Sequence, residues 1–176
     1  GVQRFEDQKF GGGLWYDDKK DNKSLYAIGI IIDAFKIFQI TNEVSYYDFA
    51  KRNYDWMEAN LLRADGLYWT EYWDVAWQQG PATSRYDDIY KVGRKEAGSV
   101  TYLAGNMGMA VFQARLYRYT GDESHKQKAV RSASAVLSKL VDSDGVFIND
   151  RDAWSNGHFV REWTREVLPL SSSLQS

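Results

Sequence analysis

Ala34–Trp69 reads AFKIFQITNEVSYYDFAKRNYDWMEANLLRADGLYW, and Gln113–Ile148 reads QARLYRYTGDESHKQKAVRSASAVLSKLVDSDGVFI. The stretches match without a gap at a separation of 79 residues, as from Thr41 to Thr120. Ala50 falls on Ala129, Leu61 on Leu140, and Asp65-Gly66 on Asp144-Gly145. A fixed spacing of this kind means that one supersecondary unit is built twice, and neither copy buries its apolar face alone. The unit is a helix, a tight turn, a second helix, an Asp-Gly turn and a short extended strip.

Working outward, apolar periodicity predicts a helix over Ser24–Ile40, with Ser24 as N-cap and Ala27, Ile28, Ile31, Ile32, Phe35 and Phe38 on its inner face. Thr41-Asn42-Glu43 is the turn. The second helix, Val44–Leu62, places Tyr47, Ala50, Tyr54, Met57 and Leu61 on one face by their alternating spacing of three and four. A third helix is predicted over Ser99–Tyr119 and a fourth over Glu123–Val141, burying Ala129, Ala133, Val136 and Leu140. Ser155-Asn156-Gly157 is read as the start of a fifth, Phe159–Leu168, which Pro169 stops. Between the copies, Thr70–Gly98 is a polar and aromatic insertion with little periodicity. Residues 1–170 are thus one partial domain, and 171–176 a disordered or artificial tail. Antiparallel helix pairs in tandem, with tight turns on one side and long connections on the other, describe an all-α fold of the α/α toroid type. The chain holds too few hairpins to close such a ring, so it is either an arc of a larger domain, the reading favoured here, or a piece that pairs with another.

Composition narrows the function. The 176 residues are 44% apolar, ample for a packed core. They include 7 Trp, 12 Tyr and 8 Phe, residues that build cores and also stack on sugars or bases. A formal charge of −2, with basic and acidic residues interleaved, argues against a nucleic-acid surface. Without cysteine there is no disulfide framework and no thiolate metal site. Neither a membrane span nor a signal peptide is recognisable. Gly11–Gly13 lacks the strand and helix context of a phosphate loop. Asp142-Ser143-Asp144-Gly145 is a plain turn, because the later ligands of a calcium loop are missing. His125, among lysines, is read as solvated, and His158 as a cap.

The unusual residues sit on three connections. The first carries Trp15, Tyr16, Asp17 and Asp18; the second Tyr68, Trp69, Glu71, Tyr72, Trp73 and Asp74; the third Asn149, Asp150, Arg151, Asp152 and Trp154. Equivalent positions of tandem repeats converge at one end of a toroid. Carboxylates among aromatic rings suit a polysaccharide cleft, where rings cover sugar faces and acid groups act on the glycosidic bond. The blander reading is that the rings plug the toroid and the acids are solvated. Asp87-Asp88 is a further adjacent pair, of a kind common in polar loops.

These residues resemble one family. Gly12-Gly13-Leu14-Trp15-Tyr16-Asp17 is similar to the GGIWWD signature of glycoside hydrolase family 76, the endo-α-1,6-mannanases. Leu116-Tyr117-Arg118-Tyr119-Thr120-Gly121-Asp122 resembles its LYRxTGD turn. Tyr54-Asp55-Trp56, followed by Asp65-Gly66-Leu67-Tyr68, resembles its YDW…DGLIYD passage, and His158-Phe159-Val160-Arg161 its GIFVR helix. The matches occur in family order up to Leu168. The resemblance implies an (α/α)6 barrel that cleaves α-1,6-linked mannan with retention and without a cofactor. It implies a secreted, periplasmic or cell-surface setting and a polysaccharide or oligosaccharide partner. It also implies a catalytic pair of consecutive aspartates upstream of the GGIWWD element, in the remainder of the barrel. Neither Asp17-Asp18 nor Asp87-Asp88 inherits that role. Departures are Lys23-Ser24-Leu25-Tyr26-Ala27-Ile28, where the family has Lys-Asn-Ala-Ile-Ser-Asn, and Asn106-Met107-Gly108 in place of its TYNQG run. Trp15, Asp17, Trp69, Glu71, Tyr102 and Asn106 are the expected substrate contacts. Alternatives are an unsaturated glucuronyl hydrolase or sugar epimerase of the same architecture, a non-catalytic glycan-binding module, and a helical scaffold for protein partners.

Overall fold

The structure, a computed structural model, describes residues 2–9, 11–18, 20, 22–73, 103–147 and 153–175. It divides into two compact units, Gly1–Leu62 with Trp69–Val100, and Arg63–Tyr68 with Thr101–Ser176.

In the first unit, α1 (Ile28–Thr41) and α2 (Val44–Leu61) form an antiparallel hairpin. Ile28, Ile31, Ile32, Phe35 and Phe38 are buried as the periodicity predicts. Phe35, Phe38 and Tyr47 close the turn end as three rings with centroids 5.3–6.1 Å apart. The helix proper begins four residues later than Ser24. That serine ends strand β1 (Asn22–Ser24), which pairs antiparallel with β2 (Glu71–Trp73). Its hydroxyl donates to the Thr70 carbonyl at 3.1 Å, and Leu25 N–H bonds the same oxygen at 2.8 Å. Ladder bonds therefore occupy the residues a first helical turn would use. Ser24 still caps, accepting from Tyr26 N–H at 3.2 Å, but what it caps is the single 3-10 turn Leu25–Ala27. A second face of α2, Phe49, Asn53 and Trp56, is also buried.

The second unit holds α3 (Leu103–Thr120), α4 (Glu123–Lys139) and α5 (Ala153–Glu166). Every residue of α3 from Leu103 to Leu116 is buried, as expected of a helix that is apolar nearly all round. Ala129, Ala133, Val136 and Leu140 are buried as predicted. α5 starts before the expected Phe159, because weak local propensity at Ser155-Asn156-Gly157 yields to packing on α3. Arg115 pairs with Glu162, and Arg118 with Glu166, across that contact. A 3-10 turn, Leu168–Leu170, contains Pro169. The tail expected to lack order forms a further turn, Ser172–Leu174, with Leu174 buried and the turn against α4.

The repeat is written in hydrogen bonds. Thr41 and Thr120 hydroxyls each donate to the carbonyl four residues back, Ile37 and Leu116, and accept from Glu43 and Asp122 N–H. Asn42 and Gly121 both adopt the left-handed conformation, with N–H bonds to Phe38 and Tyr117 carbonyls. Arg63 N–H bonds Leu67 O at 2.8 Å, and Asp142 N–H bonds Val146 O at 2.8 Å.

His125, in the first turn of α4, is buried rather than solvated. Asp122 caps α4 by accepting from Ser124 N–H at 2.9 Å, and this bond holds its carboxyl below the ordinary carboxylate range. A carboxyl with a lowered folded pKa stabilises the fold above its unfolded pKa, and that contribution fades as pH falls through the folded value. Asp122→Ala is expected to lower the unfolding midpoint at neutral pH, with the gap to wild type closing in acid. Urea titrations across pH read this directly.

Candidate functional site

Strip one is built on the three glycines, at φ +81, +86 and +84 for Gly11, Gly12 and Gly13, a region closed to most side chains. Gly13 lies so close to Trp56 that an added Cβ would stand 2.5–2.9 Å from the indole. The strip then runs beside β1: Trp15 bridges Lys23, and Tyr16 N–H bonds Asn22 O at 3.0 Å. On the other edge of β1, Tyr72 pairs with Lys23 and Glu71 with Ser24. Strips one and two thus flank one central strand at the same end of the α1–α2 hairpin.

Lys23 is at the centre and fully buried. Its ammonium donates to Asp7 Oδ2 at 2.6 Å and to Gly12 O at 2.5 Å. It also lies 4.7 Å from the Trp15 ring centroid and 4.8 Å from that of Trp56. Trp56 in turn meets Tyr72 edge-on at 5.9 Å. Glu6 ties the preceding segment to α2 through Arg52 at 2.8 Å and Asn53 at 3.1 Å, and its hydrogen bond raises the Arg52 pKa further from titration.

The expected contact residues divide by exposure. Asp17, Trp69 and Glu71 are half-buried, whereas Trp15 is 5% exposed beneath the Lys23 ammonium. Tyr16 and Tyr26, with ring centroids 5.9 Å apart, are exposed. Asn106, in the second unit, is 1% exposed and grips a backbone: its Oδ1 accepts from Tyr68 N–H at 2.7 Å. Gln113 Nε2 and Arg131 Nη2 each donate to the Tyr68 hydroxyl at 2.9 Å. Asn106 and Gln113, two helical turns apart, share the face of α3 that holds Tyr68. Asp74, Asp87-Asp88, Tyr102 and the third strip's Asn149–Asp152 lie outside the described residues, as do the side chains of Trp73, Trp154 and His158. The sequence reading missed Lys23, Asp7, Gln113 and Arg131. Among the described residues, no cluster of three His, Asp or Glu side chains could hold a metal, and no helix is long and apolar enough to cross a membrane.

Comparison with known proteins assigns the family. The profile of glycosyl hydrolase family 76 matches residues 2–168. The chain belongs to glycosyl hydrolase family 76. Among solved structures, the family 76 chain is similar to the GH76A α-1,6-mannanase of Salegentibacter sp. HEL1_6, at a TM-score of 0.76 and 18% identity over 98% of this chain and 49% of that one. An inactive variant of that mannanase, with two consecutive aspartates replaced and α-1,6-mannotetrose bound, aligns at 0.75 and 20% identity over the same shares. A family 76 glycoside hydrolase from a bovine Bacteroides thetaiotaomicron strain aligns at 0.72 and 21% identity, over 95% of this chain and 35% of that one. No curated protein matches the chain. The fold is therefore all-α, of the α/α toroid type, and this family 76 chain is a partial domain spanning half or less of the structures it matches.

Proposed function

We propose that the protein carrying this chain is a glycoside hydrolase that cleaves α-1,6-linked mannan or a related polysaccharide with retention. The observation that carries this reading is the joining of strips one and two through a single strand, which sets Trp15 and Tyr72 on either edge of Lys23, in a chain of this family. Trp69 covers a sugar face, while Asp17 and Glu71 accept hydrogen bonds from sugar hydroxyls. Trp15 acts from beneath within its strip, and in the second unit Asn106 holds the Tyr68 backbone. Chemistry falls to a pair of adjacent aspartates in the remainder of the barrel. One protonates the leaving oxygen and the other attacks the anomeric carbon, so that water later releases the sugar. Loss of activity on replacing two consecutive aspartates in the Salegentibacter mannanase supports that assignment. A polymeric substrate fits a secreted, periplasmic or cell-surface enzyme.

The test uses the whole protein, α-1,6-mannan and α-1,6-mannotetraose. Wild type should release reducing ends and bind the tetrasaccharide with a change in tryptophan fluorescence. Trp69→Ala should weaken binding by about tenfold or more, the effect of removing one aromatic anchor. Binding without turnover would identify a glycan-binding module instead, and absence of both would end the carbohydrate reading.

A further inference from the structure

We propose that Lys23 is a positioning residue for the carbohydrate site, setting the separation of the two contact strips through its buried ammonium; this rests on the mannan-binding reading above. Burying an ammonium is expensive, and a methionine or leucine of similar size would fill the same space without that cost. What packing cannot supply is direction. Strip one is joined to β1 by an isolated bridge, and its three consecutive glycines leave its backbone little intrinsic stiffness. The Lys23 side chain fastens that backbone at Gly12 O and, through Asp7, reaches the segment whose N–H bonds Gly13 O at 2.9 Å.

The same residue's backbone stands between Trp15 on one edge and Tyr72 on the other. Its ammonium lies between the Trp15 and Trp56 rings, and Trp56 carries Tyr72 at its edge. Movement of this one side chain is therefore felt in both strips. Asp17 follows Trp15 by two residues, and Glu71 precedes Tyr72 by one, so both proposed contacts hang from residues that Lys23 touches or pairs with. The residue acts through these neighbours and touches no substrate itself.

The test compares wild type with Lys23→Met/Asp7→Asn in the whole protein. The pair removes both charges together, leaves no orphaned ion, and keeps a side-chain oxygen for the Lys9 N–H that Asp7 accepts at 2.8 Å. A variant that unfolds cooperatively is expected to show KM for α-1,6-mannan and Kd for α-1,6-mannotetraose raised about tenfold, with kcat changed far less, the signature of misplaced binding groups. A folded variant with KM and Kd within twofold of wild type overturns the proposal. Should the double variant fail to fold, Lys23→Arg replaces it. That variant keeps the charge but sets a broader group between two indoles, and a rise of about threefold in KM is expected; unchanged KM overturns the proposal. If wild type binds no mannotetraose, the parent reading fails, and Lys23 is judged by amide exchange at Asp7, Trp15 and Tyr16. Faster exchange in a folded variant upholds its hold on the strip, and unchanged exchange refutes it.

Discussion

Lys23→Met is expected to cost about 3–5 kcal/mol of folding stability, the usual consequence of removing one member of a buried ion pair. The loss does not come from packing, since methionine fills nearly the same volume. It comes from Asp7, itself 6% exposed, left as a buried carboxylate without its ammonium. Two cation–ring contacts and the bond to Gly12 O disappear as well. Urea unfolding of wild type, Lys23→Met and Asp7→Asn, with the double variant closing the cycle, gives the coupling energy. A single-variant loss below 1 kcal/mol would mean that water reaches the pair in solution.

Gly13→Ala should be nearly as damaging, by about 2–4 kcal/mol. Left-handed backbone costs a non-glycine residue about 1–2 kcal/mol, and overpacking adds roughly 1–3 kcal/mol. Both act at Gly13, where φ is +84° and the new Cβ meets the Trp56 ring at 2.5–2.9 Å. Gly11 supplies the control, with a similar φ of +81° and nothing within 4 Å of an added Cβ. Gly11→Ala therefore reports the backbone strain alone. The difference between the two variants isolates the Trp56 contact, and equal losses would refute the close approach.

The fold was legible because its repeat is local. Thr41 and Thr120, Asn42 and Gly121, and the two Asp-Gly turns each impose their geometry within a few residues, so matching letters meant matching hydrogen bonds. Helix starts were harder to read, since Ser24 serves a strand pairing that depends on Thr70, far away in sequence. The family signature around Trp15 was equally plain. The support beneath it was not: nothing in Asp21-Asn22-Lys23 sets this lysine apart from a surface one, because its burial comes from Asp7, Gly12 and Trp56. Asn106 and Gln113 are uncharged polar residues seven apart in the mostly apolar first four turns of α3, which places both on one interior face. Their partner Tyr68 corresponds to Phe147 in the other copy, so the hydroxyl they serve exists only where the copies diverge.

The immersion of α3 reaches beyond packing. On α1, α2 and α4, each turn offers positions open to water where a substitution changes little. Leu103 to Leu116 offers none. Random mutagenesis scored by soluble expression should therefore find this stretch the most intolerant among the described helices. An engineer seeking to decorate, tag or resurface the molecule has three helices to work with before touching this one.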